Sequence, residues 1–514
     1  MSLETDLAAP FGTIAALIRR HAREAPRRRA LVQDGEVLDY AALDARMDRV
    51  AAALQREGVQ PGQAIAIAAG SSLAYATTYL GALRAGVVVA PLAPGATPDS
   101  LAGMLRDAGA RLLFTDQEVA QALGAREAGV PRIALDDSAV GRPWTHWLET
   151  PGASAPAVEV APDWPFNIIY SSGTTGEPKG IVQPHGMRWA HVQRGAAYGY
   201  GADTVTLLST PLYSNTTLVV FFPTLAYGGT VLLMGKFDAA AYLALAERER
   251  VTHTMLVPVQ YQRLMARPDF GQYDLRSFHM KFCTSAPFSA ALKAEVLARW
   301  PGGLVEFYGM TEGGGTCILE AHLQPDKLHT VGRPAHDIRL IDEAGQEVPA
   351  GEPGEVVGRS PGMMQGYHGR PEKTREAEWY APDGQRFIRT GDIGRFDAEG
   401  FLTLFDRRKD MIISGGFNIY PSDLEAELRQ HPAVQDVAVV GVPSEQWGET
   451  PVAYVVLREA EVLAAAALRD WMNRRVGKTQ RLADLRYLDE LPRSAIGKVL
   501  KRELREQYAA APRK

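Results

Sequence analysis

The stretch Tyr170-Ser-Ser-Gly-Thr-Thr-Gly-Glu-Pro-Lys179-Gly180 has the residue types best suited to chemistry. Two glycines among four hydroxyl side chains, then a lysine, make a loop rich in N–H and O–H donors. A phosphate chain needs that lining. Ser171, Ser172, Gly173, Thr174, Thr175, Gly176 and Lys179 are therefore candidate phosphate ligands. The loop is not a Walker A sequence, because Lys179 follows Gly176 by three positions and Gly180 comes next. The competing reading is a solvent-exposed Gly/Ser turn. The length of the loop, its lack of charge until its end and its closing lysine favour the phosphate reading.

Such a loop needs a strand behind it, and Phe166-Asn-Ile-Ile169 supplies a short buried one. Over residues 40–57, Leu43, Met47, Val50 and Leu54 fall on one helical face, and Gly58 suits the stop. Residues 64–68, 87–89 and 112–115 read as strands. This alternation of helix and strand spans 11–141, resumes over 166–309, and predicts parallel sheets covered by helices. Over 338–405 Gly and Pro become dense and the turn pairs Asp383-Gly384 and Glu399-Gly400 appear, which predicts a small antiparallel β unit. Beyond Asp410, helices over 422–430 and 464–476 and strands over 437–442 and 452–457 outline a compact α+β module. The expected fold is α/β. A large N-terminal domain of parallel-sheet αβ subdomains plus a small β unit (1–408) is hinged to a small α+β C-terminal domain (409–514).

The chain has 514 residues, of which 46% are hydrophobic and 22% charged, the profile of a globular protein of about two to four domains. Its net charge of −5 offers no bulk positive field for a nucleic acid or an anionic membrane. Cys283 and Cys317 form no C-x-x-C pair and cannot frame a zinc site, so a reducing, cytoplasmic setting is expected. The start MSLETDLAAP carries Glu4 and Asp6 and lacks an apolar core, so no secretory signal is expected. No charged side chain occurs between Asp203 and Lys236, but Pro211, Pro223, Gly228 and Gly229 interrupt that stretch. It reads as a buried strand-turn-helix unit rather than a membrane span.

Five segments, in order, resemble the motifs of the adenylate-forming enzymes, the superfamily of acyl-CoA synthetases, peptide-synthetase adenylation domains and firefly luciferase. They are the phosphate loop, Tyr308-Gly-Met-Thr-Glu312, Thr390-Gly-Asp392, Asp406-Arg-Arg-Lys-Asp410 with Ile413-Ser-Gly-Gly416, and Pro492-Arg-Ser-Ala-Ile-Gly-Lys498. The resemblance covers nearly the whole chain and implies ATP, Mg2+ and CoA as cofactors and a carboxylic acid as substrate. A carboxylate is a poor electrophile, and attack on the α-phosphate of ATP would convert it to an acyl-adenylate. Two anions must then meet, so preorganised positive charge is required. The resemblance gives that task to Lys498, with Thr311 on phosphate and Glu312 on the metal, a hard cation that prefers oxygen ligands. It stacks Tyr308 on adenine, counts Gly309, Ser285, Ala286 and Pro287 among the ATP-binding residues, gives both ribose hydroxyls to Asp392, and lets Arg407 reach the ribose or phosphate. Lys409 would be the hinge between two half-reactions. Gly415, Gly416 and Trp447 would line the pantetheine tunnel.

The acyl pocket implied by the resemblance comprises Tyr213, Ser214, Asn215, Met310, Gly313, Gly314 and Gly315. Many relatives carry histidine where Ser214 stands, and Gly-Gly where Thr284-Ser285 stands. Near the C terminus, Thr479-Gln-Arg-Leu482 replaces a Tyr-Lys-x-Pro that often touches CoA. No aspartate occurs between Thr204 and Gly235 to pair an amino-acid amine, and Leu218, Val219, Phe221, Phe222, Met255 and Val257 are apolar. Burial of apolar surface stabilises by ~25 cal/mol per Å², so an uncharged aryl or medium- to long-chain alkyl tail is expected. The leading expectation is an AMP-forming carboxylate–CoA ligase. The alternative is a stand-alone adenylation enzyme that loads a carrier-protein pantetheine in trans.

Overall fold

Ala64-Ile-Ala-Ile-Ala68 forms a strand in which every residue is buried. Ile65 and Ile67 join a hydrophobic cluster with the helices Tyr40–Arg56 and Leu73–Arg84. Ala64, Ala66 and Ala68 face a second cluster that includes the helix Pro98–Asp107. Strand side chains alternate between faces, so one strand can bury itself under two layers. In this computed structural model the neighbours in its sheet run Gly366–Tyr367, Lys179–Pro184, Pro165–Ser171, Val88–Pro91, Ala64–Ala68, Leu113–Thr115, Arg132–Ala134 and Arg142–Pro143. The pairing is parallel except at the first two neighbours, which are antiparallel.

A second sheet runs Thr316–Glu320, Gly303–Gly309, Met280–Cys283, His253–Leu256, Val205–Leu208, Thr230–Leu233, Arg29–Gln33 and Glu36–Asp39. Its interior is parallel and both of these ends are antiparallel. The N-terminal strand Arg29–Gln33 thus joins the sheet formed by residues beyond 200, pairing with Thr230–Leu233. The uncharged stretch after Asp203 folds as strand Val205–Leu208, helix Asn215–Ala226 and strand Thr230–Leu233. Among the described residues no helix is long and apolar enough to cross a membrane.

The structure describes every residue except 1, 125, 127–128, 149–157, 172–178, 408–409, 415–416, 445–446, 459–462, 495–496 and 511–514. Of 171, 406–407, 417–418 and 479 it describes the backbone alone. By compactness the chain divides into two units. The first runs to His329 and includes Ala335–Asp337 and Gly358–Ile388; the second holds Thr330–Pro334, Ile338–Val357 and the chain from Arg389 onward. The second unit therefore gathers part of the antiparallel β unit with the C-terminal module.

Within the second unit, strands Val434–Ser444 and Gly448–Leu457 pair antiparallel, and Asp484–Tyr487 adds a parallel edge. Val437, Val439, Ala453 and Val455 face the helices Pro421–Leu428 and Ala465–Asn473 through Leu424, Leu428, Leu468 and Met472. Ala438, Val440, Val452 and Tyr454 face the helix Lys501–Ala510 through Leu504. The family architecture expected from the sequence, a large N-terminal αβ domain and a smaller C-terminal domain, is observed.

Candidate active site

The candidate residues of the first unit sit where strands end. Strand Gly303–Gly309 delivers Tyr308 and Gly309 and then opens into Met310–Gly315 before Thr316–Glu320 returns. Strand Pro165–Ser171 delivers the phosphate loop, and Lys179 opens its antiparallel partner opposite Ser171. Strand Met280–Cys283 leads to Ser285, Ala286 and Pro287, and strand Val205–Leu208 leads to Tyr213–Asn215. Ligand sites in open α/β sheets collect at such carboxyl ends.

Side-chain bonds bring these loops together. The carbonyls of three successive residues are each capped: Gln183 Nε2 donates to Thr311 O at 2.7 Å, Met364 N to Glu312 O at 2.8 Å, and Ser360 Oγ to Gly313 O at 2.6 Å. Glu312 is buried, and the phenol of Tyr367 donates to its Oε1 at 2.9 Å. Burial first, and then the Glu312 carboxylate, push the Tyr367 phenol well above its ordinary pKa, so it stays a donor. Lys179 Nζ lies 5.1 Å over the ring of the same tyrosine. Gln183 Nε2 also approaches Asn215 Oδ1 at 3.4 Å. Thr216 and Ser285 share a 2.5 Å hydroxyl bond, and Thr284 Oγ1 donates to Phe307 O at 2.7 Å.

Several expected site residues acquire a structural reason for their identity. Ser214 is the N-cap of helix Asn215–Ala226, its hydroxyl accepting from Thr216 N, a task that serine suits. Ser285 has φ 81°, so it holds a left-handed conformation that glycine would adopt without strain. Gly313 has φ 74°, and a Cβ there would collide with the carbonyl oxygen of Gly362. A Cβ at Gly314 would lie 2.7 Å from Ile388 Cβ. At these two positions the absent side chains admit neighbouring chain. Tyr213 is largely buried, which pushes its phenol up to about 12. Met310 packs with Ile181, Met364, Tyr367 and Ile388.

In the second unit, Asp392 follows Gly391, whose φ of 72° suits glycine, and pairs across the β-ladder with Arg407. Thr390 Oγ1 donates to Val356 O at 2.8 Å and accepts from Asp392 N at 3.0 Å, which fixes the turn. Lys498 closes a turn in which Ser494 N donates to Lys498 O and Gly497 N to Ser494 O, both at 2.8 Å. Arg493 clamps it, donating to Gly497 O at 2.6 Å and to Asp436 at 2.5 Å. Trp447 is 50% exposed and Ile413 52%, near where Ser414 pairs with Gly448. Ser172, Gly173, Thr174, Thr175, Gly176, Lys409, Gly415 and Gly416 lie outside the described residues, as do the side chains of Ser171 and Arg407.

Gln183, Tyr367, Ser360 and Asp436 were not singled out by sequence reasoning. Each acts on a motif residue far from it in the chain, so no local spacing signals it. The Glu312 carboxylate, held by the Tyr367 phenol, is an oxygen ligand of the charged type that a hard cation such as Mg2+ prefers, and it would bind the metal together with substrate phosphates.

The comparisons accord with this geometry. The family model described as AMP-binding enzyme matches residues 18–368, and the AMP-binding enzyme C-terminal domain matches 423–498. The chain is 36% identical over 497 residues to feruloyl-CoA synthase of an Amycolatopsis species, covering 95% of this chain and 98% of that one. It is 34% identical over 511 residues to indoleacetate–CoA ligase of Aromatoleum aromaticum, covering 96% and 97%. The crystal structure of ATP-bound MatB from Rhodopseudomonas palustris superposes with a TM-score of 0.87 at 29% identity, covering 96% of this chain and 99% of that one. With the carboxyl ends of two αβ sheets converging on a buried glutamate, the chain belongs to the AMP-binding enzyme family, as an adenylate-forming, ATP-dependent carboxylate–CoA ligase that uses Mg2+ and CoA.

Proposed function

We propose that the acid activated by this enzyme is an uncharged aryl acid, with an alkyl fatty acid as the competing tail. The reading is carried by the aryl acids for which the two relatives are named; Gln183, bonded to Asn215 and to Thr311 O, joins the acyl segment to the Thr311–Glu312 motif. Support also comes from the absence of any aspartate between Thr204 and Gly235. Both relatives are named for CoA, which disfavours a carrier-protein acceptor.

In this reading the 171–176 loop and Lys179 hold the departing phosphates, and Tyr308 with Ser285–Pro287 frames adenine. Asp392 accepts from the ribose hydroxyls, a role open to a carboxylate, and Arg407 reaches ribose or phosphate. Glu312, oriented by Tyr367, holds Mg2+, which supplies neutralising charge at the phosphates; Thr311 bonds phosphate. Lys498 stabilises the charge that develops as carboxylate meets α-phosphate. The second step uses the Gly415-Gly416 backbone and Trp447 to admit the pantetheine arm, after the chain pivots at Lys409. A cytoplasmic setting is supported by Cys283 and Cys317, both buried and free.

The test is acid-dependent pyrophosphate exchange over matched panels of arylpropenoic, arylacetic and alkanoic acids, followed by thioester formation with CoA. The reading expects an aryl acid to give the highest kcat/KM. Exchange supported best by alkanoic acids would replace the tail assignment and leave the ligase standing.

A further inference from the structure

A chain of polar contacts with a fixed direction runs behind Asn215. It starts at Arg188, on the helix His185–Arg194, which is 1% exposed. Its guanidinium lies 5.7 Å from the ring centre of Phe166 and 5.9 Å from that of Phe222. Among the described residues no carboxylate pairs with it, and its Nε and Nη1 have no hydrogen-bond partner. Burial pushes its pKa down to about 10. A buried, unpaired charge is strongly unfavourable. A leucine among those rings would carry no such penalty, so what the cation does lies in what it holds.

Arg188 Nη2 donates to Gln183 Oε1 and lies 3.5 Å from Asn167 Oδ1. Arginine has donors only, so the Gln183 amide turns its oxygen to Arg188 and its Nε2 the other way. That orientation agrees with the acceptors on the far side, Thr311 O at 2.7 Å and Asn215 Oδ1 at 3.4 Å. Asn215 then accepts through Oδ1, which leaves its Nδ2 as the donor it can offer. Charge at the start of such a chain strengthens each donor along it.

We propose that Arg188 and Gln183 are positioning residues that present Asn215 as a hydrogen-bond donor to the acyl tail, so that the enzyme prefers acids bearing an oxygen acceptor over their hydrocarbon counterparts. The proposal rests on the reading that Asn215 lines the acyl pocket. A hydrocarbon tail leaves that donor unpaired, whereas an ether, methoxy or hydroxyl oxygen satisfies it, and a site built to bond an oxygen rejects the analogue that lacks it.

The experiment measures kcat/KM in pyrophosphate exchange for paired acids in which one oxygen replaces a methylene, with the oxygen stepped along the tail. Wild-type enzyme should favour the oxygen-bearing member at one position by about tenfold, the worth of one hydrogen bond. Gln183→Glu keeps the contact with Arg188 but loses the donor, so Asn215 turns its oxygen to the tail and the preference falls to about one. Arg188→Met should erase it too, and Arg188→Lys, still a donor, should keep part of it. A wild-type ratio near one at every position overturns the proposal, as does a Gln183→Glu enzyme that loses both members of each pair equally. Should Arg188→Met fail to fold, Gln183→Glu and Arg188→Lys decide the matter. Absence of exchange with every acid would instead sink the activity reading, whereas normal exchange with a flat ratio sinks the relay alone.

Discussion

Lys498 owes its place to a turn and a clamp: Gly497 at φ 76°, Ser494 across the turn, and Arg493 anchored on Asp436. A compact charge on a flexible stem suits contact with both a carboxylate and a phosphate. Lys498→Ala should abolish adenylate formation and spare thioester formation from preformed acyl-adenylate, because only the first step joins two anions. Rapid-quench measurement of the two halves checks this, and equal loss of both would remove the assignment. Glu312 is buried and bonded by Tyr367 at 2.9 Å. Glu312→Gln removes the charge a hard cation seeks, so the Mg2+ concentration for half-maximal exchange should rise at least about tenfold. A Mg2+ titration that superposes on wild type would remove Glu312 from the metal site.

Strand Gly303–Gly309 both carries the site and anchors it. Its far end leads into Met310–Gly315, while its middle holds Glu306, buried in an ion pair with Lys293 of helix Ala290–Arg299 at 2.5 Å. Burial raises the Glu306 pKa and Lys293 opposes that rise. Lys293 also donates to Leu328 O at 2.8 Å. Removing one partner of such a pair strands the other, at about 3–5 kcal/mol. Lys293→Met should destabilise the fold by about that amount, and the double variant Lys293→Met/Glu306→Leu should recover most of it. Urea unfolding midpoints decide, and a single variant as stable as wild type would show that the pair does not hold the strand.

At the scale of the whole molecule, buried histidines set the response to acid. Burial pushes His185 and His253 down to about 4 from 6.5. His253 is bonded on both nitrogens, to Tyr198 O at 2.9 Å and Thr252 Oγ1 at 2.8 Å. Between pH 6.5 and 4 the unfolded chain binds protons at these sites that the folded chain refuses. Stability is therefore full above pH 6.5 and falls as pH drops towards 4, by about 3 kcal/mol for each imidazole. Urea midpoints measured across that window should fall, and His253→Gln should flatten the slope; an unchanged slope would contradict the assignment. Thr311 and Glu312 belong to the first compact unit, and Asp392 and Lys498 to the second. The proposed second step has its pivot at Lys409. Lys409→Pro fixes φ near −65° and should leave pyrophosphate exchange while blocking thioester formation. Wild-type rates in both steps would move the pivot elsewhere.

The sequence by itself determined the elements and the chemistry carried by short segments. Helix Tyr40–Arg56, strand Ala64–Ala68 and the strand-turn-helix over Val205–Ala226 follow from local periodicity, punctuated by glycine and proline. The motifs ending in Glu312, Asp392 and Lys498 were legible for the same reason, since each needs only neighbours in the chain. Partnership between distant residues was decided by tertiary structure alone. The strand Arg29–Gln33 was not among the elements read from the sequence, and it pairs with Thr230–Leu233, far along the chain. Gly366–Tyr367 crosses to Lys179–Pro184, and this brings the Tyr367 phenol to Glu312. Gln183 and Arg188 read as ordinary residues after the phosphate loop until folding buries Gln183 against Thr311 and Asn215, and Arg188 against Gln183. A hydrogen bond or a buried charge is a property of what surrounds a side chain, and for these residues the surroundings come from elsewhere in the chain.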